Sequence, residues 1–413
     1  MTSGIERAPL LTRLRELGDT GRDSAGRLSR VAGSDADRAG RDLLCKWLSA
    51  AGLRIAIDKI GNIYGIWEPP GASGAPVMIG SHIDTVIDAG VYDGCYGVLA
   101  GLSVIEALQA DGRRPSRPIV VAAFTNEEGV RFAPDMMGSL VAAGGLDLDA
   151  ALRSQDAAGV TLGDALASIG YAGQEQPGFL TPHVYLELHV EQGPVLEASG
   201  LPIGAVENLQ GISWQRIAIT GMANHAGTTP MTMRRDAGIA AARVMAFVDQ
   251  QARATSGGVA TVGTLTLAPG AINVIPAEAR FTVDMRNPDE TLLKQQEDGL
   301  SAFLDGLRAE GFTITTESLA RFQPVAFDPG IAAMVEAAAA ARQLGCRRMT
   351  SGAGHDAQMM ARIAPSAMIF VPSKGGISHN PMEFTAESDL IAGADILLDV
   401  VRRLGECTQS TTA

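Results

Sequence analysis

The chain has 413 residues, and at roughly 150 residues per domain this length predicts two or three domains. Its 33 lysines and arginines against 46 aspartates and glutamates give a net charge of −13. This charge argues against nucleic acid and membranes as partners, because both attract clustered positive charge. An apolar content of 46% with 19% charged residues excludes a disordered chain. No signal peptide or long apolar run is visible, so the cytoplasm is the predicted location.

The first half of the chain alternates helical and extended patterns. Leu44 and Leu48 recur at helical spacing, whereas residues 118–124 form a continuous apolar run that is typical of a buried strand. In chain order we predict a helix over 35–51, strands over 53–58, 62–67 and 76–81, a helix over 95–110, a strand over 118–124, short helices within 135–170, and strands over 183–190 and 202–207. This alternation predicts an α/β fold whose mixed, mostly parallel sheet carries helices on both faces.

A different order of elements follows. We predict a strand over 212–220, a helix over 233–254, strands over 259–267 and 279–286, a helix over 288–309 and a strand over 312–318. This βαββαβ order is ferredoxin-like. Helices over 330–344 and 386–404 around a strand over 366–371 then resume the first pattern. We therefore predict a discontinuous domain of residues 1–210 and 326–413, interrupted by an inserted domain of residues 211–325.

Metal-binding types of side chain follow the predicted strands. His82 and Asp84 come after the strand over 76–81, and two residues apart in extended chain they share a face. Asp84 can therefore orient a metal-bound imidazole. Asp93 precedes a helix, where an aspartate can bind a metal or simply cap the helix.

Further candidates lie at the ends of other strands. Glu127 and Glu128 follow the apolar run at 118–124, so that one can bind a metal while the other handles a proton. His189 and His379 also follow buried strands. Ligands of open α/β sheets bind at the carboxyl ends of strands. Imidazoles and carboxylates gathered there predict a pair of divalent ions.

With these segments in place, the sequence resembles the M20 metallopeptidase-related family. More narrowly it resembles the amidase branch of N-carbamoyl-L-amino-acid hydrolases, allantoate amidohydrolases and β-ureidopropionases. The resemblance runs in order along nearly the whole chain. It rests on residues 80–85, 93–94, 126–129, 189–193 and 378–383, and on residues 224–231 and 273–276 of the inserted domain.

The resemblance implies a site for two divalent ions per subunit. His82, Asp93 and His189 would hold one ion, and Asp93 would bridge to the second. Glu128 and His379 would complete the second ion's ligands. Such ligands accept Zn, Mn, Co or Ni, so the metal itself is left open.

The resemblance also implies catalytic roles. Glu127 would be the general base that activates a water bridging the two ions, and Asp84 would support His82. His225 would polarise the scissile carbonyl, reaching the site of a partner subunit across a homodimer. The inserted domain would then serve as both lid and dimerisation domain.

A small carboxylate-bearing ureido compound is the implied substrate. Asn273 and Arg286 would bind its carboxylate, for which the planar guanidinium of Arg286 is suited. Gln192 would be a substrate contact of the amidase branch. His355 either lines the pocket or has a structural role. The arginines at 234–235 are interpreted as solvated charges on a helix.

Several functions fit this reading. The favoured one is hydrolysis of an N-carbamoyl-L-amino acid to the L-amino acid, ammonia and CO2. The alternative is allantoate amidohydrolase activity, which gives ammonia and a ureidoglycine-type product. A dipeptidase or aminoacylase is a third reading, against which the segment around Gln192 argues. A binding protein that has lost catalysis is a fourth, and the intact ligand positions and Glu127 argue against it.

Overall fold

A computed structural model describes residues 4–405 of the protein. The chain forms two compact units. The first runs to Glu207 and resumes at Phe327, and the second comprises Asn208–Ala326. The first of the predicted domains includes residues 1–3 and 406–413, which lie outside the described residues.

The helices provide the layers around both sheets. In chain order they are α1 (Arg7–Asp19), α2 (Asp35–Ala50), α3 (Cys95–Ala110), α4 (Met137–Ala142), α5 (Leu148–Leu152), α6 (Leu162–Ser168), α7 (Val195–Ser199), α8 (Ala237–Ala254), α9 (Glu290–Ala309), α10 (Pro329–Ala341), α11 (Asp356–Met360) and α12 (Glu387–Gly405). Among residues 4–405, no helix is long and apolar enough to cross a membrane.

The strands form one sheet in each unit. In chain order they are β1 (Arg54–Ile57), β2 (Ile63–Trp67), β3 (Val77–His82), β4 (Ile119–Phe124), β5 (Val184–Val190), β6 (Ile203–Leu209), β7 (Gly211–Thr220), β8 (Val259–Thr261), β9 (Leu265–Ala268), β10 (Glu278–Asn287), β11 (Thr313–Phe322), β12 (Val325–Ala326), β13 (Cys346–Ser351) and β14 (Ser366–Val371).

The larger sheet has the order β1-β2-β4-β3-β5-β14-β6-β12, with β13 also paired to β6. Its centre is parallel, because β3 pairs in parallel with β4 and β5, and β14 pairs in parallel with β5. These four strands are buried along their whole length, as expected for strands covered on both faces. The outer pairs of β1 with β2, β2 with β4, and β6 with β14 are antiparallel. The predicted mixed sheet is confirmed, with its parallel pairs at the centre.

Helices cover both faces of this sheet. On β5, Leu188 faces α12, where Gly393 leaves room for it. The neighbouring Glu187 accepts a hydrogen bond from Ala357 of α11. Successive side chains of a strand point to opposite faces, so α11 and α12 lie on opposite sides. The side that carries α11 also carries the polar residues described below.

The second unit contains an antiparallel sheet of order β11-β7-β10-β8, with β9 paired to β10 beside β8. With α8 after β7 and α9 after β10, the elements follow the predicted βαββαβ order except at its second strand. The single strand predicted over 259–267 is instead two strands, β8 and β9. Residues 262–264 interrupt it, and the hydroxyl of Thr264 lies 3.0 Å from that of Thr282 on β10.

Candidate metal centre

Four strand ends and one helix start meet at the carboxyl edge of the larger sheet. His82 is the last residue of β3, and His189 lies near the end of β5. Glu127 and Glu128 follow β4, and His379 follows β14. Asp93 comes just before α3. The structure therefore brings together all six residues that sequence analysis proposed as ligands or base.

Asp93 lies at the centre of this cluster. Its Oδ1 is 3.1 Å from His189 Nε2 and 3.5 Å from His82 Nε2, and its Oδ2 is 3.4 Å from His379 Nε2. The two oxygens of this one carboxylate thus face imidazoles from three different segments. His379 Nε2 is also 3.4 Å from Glu128 Oε2.

The spacing and chemistry of these atoms fit metal ions. Most of the distances, at 3.4–3.5 Å, correspond only to long, weak hydrogen bonds. Two ligands each about 2.1 Å from a tetrahedral ion lie about 3.4 Å apart. Two ligand sets share Asp93, one with His82 and His189 and the other with Glu128 and His379.

Glu127 lies beside these sets, with its Oε2 3.4 Å from His82 Nε2. Burial raises the pKa of the Glu127 carboxyl well above its usual range. The negative charges of the Asp356 and Glu128 carboxyls raise it further. Burial also opposes ionisation of Asp93, but hydrogen bonds from three imidazoles outweigh it and hold the pKa of Asp93 well below its usual value. Glu127 is thus disposed to take up a proton, whereas Asp93 is not.

Asp84 supports the cluster in a way that sequence analysis only partly anticipated. The contact with His82 is made by the Asp84 backbone carbonyl, 2.9 Å from Nδ1, whereas the closest carboxylate oxygen is 3.9 Å away. The carboxylate instead accepts backbone N–H groups of Glu127 and Glu128.

Other residues hold Asp93 itself. The Gln192 amide donates to Asp93 Oδ2 at 2.9 Å, so Gln192, predicted as a substrate contact, bonds a proposed ligand here. Ser378 donates to the same oxygen at 3.3 Å. Glu383 accepts the backbone N–H groups of Tyr92 at 2.9 Å and Asp93 at 3.4 Å. Glu383 was missed as a site residue, although it lies in a segment that carried the family resemblance.

The backbone around the cluster is strained. Asn126, Gln192 and His379 have φ values of 57°, 57° and 52°, which non-glycine residues seldom adopt. Met136, which lines a cavity beside the cluster, has a φ of 49°. Such residues cluster at functional sites, where the surrounding structure compensates the cost.

A cavity of about 160 Å³ adjoins the cluster. Its wall includes Asp135, Met136, Gly354 and His355, which lie near the three proposed carboxylate groups and His379. His355 is buried, and its ring centroid lies 4.6 Å from that of His189. A larger cavity of about 390 Å³ between α7 and the segment after β14 contains none of the cluster residues, so we assign the chemistry to the smaller one.

The second unit brings His225 and Asn273 together. Residue 225 forms an isolated β-bridge with residue 274, and the N–H of Ala226 donates to the carbonyl of Asn273 at 2.9 Å. The backbone N–H groups of Gly227 and Thr228 donate to His225 Nδ1. Since Nδ1 is an acceptor, the proton of the neutral ring is on Nε2, which is then a hydrogen-bond donor.

The interpretation of Arg234 as a solvated helix charge is wrong. It precedes α8, and its guanidinium donates to the carbonyls of Thr229 at 3.0 Å and Ala226 at 2.5 Å. These bonds close the loop that carries His225. The sequence offered no signal for this, because the loop's carbonyls come into reach only through its turns.

Arg286 lies on β10 and is bound by Asp284, two residues earlier on the same face of the strand. Nε and Nη2 donate to the Asp284 carboxylate at 2.9–3.1 Å. The guanidinium carbon also lies 6.0 Å from the ring centroid of Trp214. Asp284 was missed by sequence analysis, although the spacing of two residues in a strand was a usable signal.

A cluster of histidines and carboxylates at the carboxyl edge of a mostly parallel sheet is typical of metal-dependent hydrolases. The chain belongs to peptidase family M20/M25/M40, whose family model matches residues 78–403. An N-carbamoyl-L-amino-acid amidohydrolase of Rhizobium meliloti is 39% identical over 402 residues, covering 96% of both chains. An allantoate deiminase of Arabidopsis thaliana is 34% identical over 441 residues, covering 96% of this chain and 82% of the relative.

The solved structures agree with this assignment. An amidase of the hydantoinase/carbamoylase family from Burkholderia multivorans matches with a TM-score of 0.94 and 41% identity. The match covers 98% of this chain and 99% of the other. The family resemblance seen in the sequence is therefore confirmed.

Proposed function

We propose that this protein hydrolyses the linear ureido C–N bond of N-carbamoyl-L-amino acids, releasing the L-amino acid, ammonia and CO2. The observation that carries the proposal is the meeting of three imidazoles at the two oxygens of Asp93, with Glu127 beside them. The Rhizobium meliloti relative, named for this activity, supports the choice of substrate.

Two divalent ions fit the two ligand sets that share Asp93. His82 and His189 would complete one set, and Glu128 and His379 the other. When bound, the ions supply Lewis-acid polarisation and a water that loses its proton near neutral pH. Zn, Mn, Co and Ni are all compatible with these nitrogen and oxygen donors.

The side chains of the protein then handle protons and charge. Glu127 accepts the proton of the attacking water and returns it to the leaving nitrogen, so the same carboxyl acts as base and then as acid. His225 donates from Nε2 to the carbonyl oxygen as negative charge develops there. Arg286, steadied by Asp284, and Asn273 bind the carboxylate of the substrate.

Allantoate is the second candidate substrate, and one specific finding favours it. The allantoate deiminase of Arabidopsis thaliana matches 96% of this chain. Allantoate also carries a carboxylate and a linear ureido group, so the same residues would act on it.

Release of ammonia from the ureido substrates, and of free amino acids from a dipeptide, tests both proposals. The purified protein is stripped of metal, reloaded with Mn or Zn, and given N-carbamoyl-L-amino acids, allantoate and one dipeptide. We expect turnover of the carbamoyl amino acids. Turnover of allantoate alone would make that substrate wrong while leaving the chemistry in place. Dipeptide cleavage alone would indicate a peptidase, and metal binding without turnover would indicate a binding protein.

We also propose that the second unit acts as a lid and dimerisation domain in a homodimer. The edge strand β9 exposes Leu265 and Leu267, and α8 exposes Ile239. An unpaired strand edge with apolar side chains is suited to pairing with a second copy. Light scattering should give the mass of a dimer. A fully active monomer would exclude a role for His225 in the partner's site.

The cytoplasm remains our proposed location. Among the described residues, Cys45, Cys95 and Cys346 are free, as is usual where thiols are kept reduced. Fractionation of the native cells with a cytoplasmic marker tests this proposal.

A further inference from the structure

We propose that Glu187 is a positioning residue that holds His355 in the substrate cavity by capping the helix that follows it. The inference rests on the proposed function, and it adds His355 as a substrate contact in the cavity beside the metal cluster. Glu187 lies on β5, one residue from Leu188 and two from His189, and its side chain is almost fully buried.

The carboxylate of Glu187 is bound from three segments. The Ser81 hydroxyl, next to His82 on β3, donates to Oε1 at 2.8 Å. The backbone N–H of Ala357 in α11 donates to Oε2 at 2.8 Å, and the Tyr185 hydroxyl donates to the same oxygen at 3.2 Å. A buried carboxylate is tolerated only when donors satisfy it in this way.

The bond to Ala357 replaces a missing cap. The first backbone N–H groups of a helix have no partner inside the helix, and a Ser, Thr, Asp or Asn at the N-cap usually accepts one of them. The N-cap of α11 is His355, whose side chain makes no capping hydrogen bond. Glu187 reaches across from β5 and accepts the N–H instead.

This arrangement frees the imidazole of His355 for another task. Its Nε2 is buried and makes no hydrogen bond to the described residues. The ring stacks edge-on against His189, with centroids 4.6 Å apart, and against Phe370, with centroids 5.6 Å apart. The residue also lines the cavity beside the metal cluster. A substrate polar group in that cavity is the partner that this nitrogen lacks.

The His355 side chain does not cap α11, so the position of its backbone depends on where α11 begins. Glu187 sets that point relative to β5, which also carries His189. Loss of the Ala357 bond would let the start of α11 shift and could move the His355 ring by about 1 Å or less. Shifts of this size are sufficient to weaken substrate positioning.

A double-mutant cycle tests the proposal. Glu187→Ala should lower kcat/KM about 10- to 100-fold, because a misplacement of about 1 Å in an active site can cost about 100-fold. In a His355→Ala background the same change should lower kcat/KM less than threefold, because the residue it positions is already gone. An equal loss in both backgrounds would show that Glu187 does not act through His355.

Conservative variants keep the test valid if Glu187→Ala does not fold. Glu187→Gln retains an oxygen that can accept the Ala357 N–H and should stay within about fivefold of wild type. Glu187→Asp keeps the charge but shortens the reach by one methylene, and should show the large loss.

Tyr185→Phe removes a different donor from the same oxygen and serves as the matched control, with kcat/KM within about twofold. Equal activities of the Gln and Asp variants would overturn the capping role.

A second readout does not depend on turnover. The protein has six histidines, so the imidazole signals of ¹⁵N-histidine-labelled, zinc-loaded protein can be assigned by substitution. Glu187→Asp should shift the His355 ring signals, and Tyr185→Phe should leave them in place. Unchanged His355 signals in the Asp variant would refute the inference even if the enzyme is active. A wild-type protein without turnover would refute the proposed function, while the His355 signals would still decide this inference.

Discussion

The carboxylate of Asp84 holds the backbone of Glu127, whose N–H donates to Oδ1 at 3.2 Å. The N–H of Glu128 donates to Oδ2 at 3.3 Å, and the Asp84 carbonyl lies 2.9 Å from His82 Nδ1. One residue therefore fixes the proposed base, one proposed ligand of each ion and the turn that joins them.

We expect Asp84→Asn to lower kcat about 10- to 100-fold with the fold intact. The amide has one acceptor oxygen, so one of the two N–H groups would face an NH₂ group and lose its partner. Steady-state kinetics and metal analysis check this. Asp298→Asn, at an exposed position of α9, is the matched control and should behave as wild type.

Glu127→Gln should lower kcat by 10²- to 10⁴-fold, the usual contribution of a general base. The amide cannot accept the water's proton, but it is close to the carboxyl in shape, so metal content should stay the same. Elemental analysis and ammonia release are measured on one sample. Glu68→Gln changes a mostly exposed carboxyl in the same way and should have no effect. Normal turnover of Glu127→Gln would contradict the base assignment.

Gly94 is the glycine on which the cluster depends most directly. Its φ is 63°, and a Cβ at this position would lie 2.5 Å from three atoms of the His82 ring. Gly94→Ala should therefore displace His82 and lower activity more than 100-fold, with metal lost from the site. Gly306→Ala in α9 is the control, because a Cβ there meets nothing within 4 Å. It should raise the free energy of unfolding by about 0.5–1 kcal/mol.

Metal affinity should weaken as the pH falls. Hydrogen bonding to Asp93 raises the pKa of the His379 imidazole to about 9. Burial raises the pKa of the Glu128 carboxyl to about 7, with the charge of Asp93 adding to it. Both groups must lose a proton before they bind an ion. For the ion of the set that contains Glu128 and His379, the apparent Kd should thus rise about tenfold per pH unit between pH 9 and 7, and about 100-fold per unit below 7.

Competition with a chelator across this pH range measures the dependence. In Glu128→Gln only His379 still loses a proton, so the apparent Kd should rise about tenfold per pH unit below pH 7 instead of about 100-fold. A pH-independent Kd in the wild-type protein would contradict the assignment of His379 and Glu128 as ligands.

The secondary-structure elements that were predicted correctly from the sequence are those in which one hydrophobic pattern matches the burial of the side chains. The apolar run of β4 and the helix α2, capped by the Ser34 side chain, were found because one pattern dominates each segment. The meeting of His82 and His379 was predicted from the fold, since ligands of open α/β sheets bind at the carboxyl ends of the strands. Helix α1 was missed, although Leu10, Leu14 and Leu17 recur at helical spacing and are buried.

Other parts of the site depend on contacts between distant segments. Arg30 is fully buried and donates to the carbonyl of Ile83, next to His82, but a lone arginine far from the motif carries no sequence signal. Glu383 reaches the backbone of Asp93 from the other end of the chain. Bonds of this kind require the tertiary fold before they can be recognised.

The place of β14 has a consequence for synthesis on the ribosome. This strand lies between β5 and β6, which follow one another in the chain, yet it is made only after the whole second unit. The edge of β5 that pairs with β14 therefore stays unpaired while more than a hundred further residues emerge, and exposed edges invite wrong pairing. We expect β5 in ribosome-bound chains to remain protease-sensitive until β14 has left the tunnel. Since His379 follows β14, the ligands are complete only then, and metal loading becomes the last step of maturation.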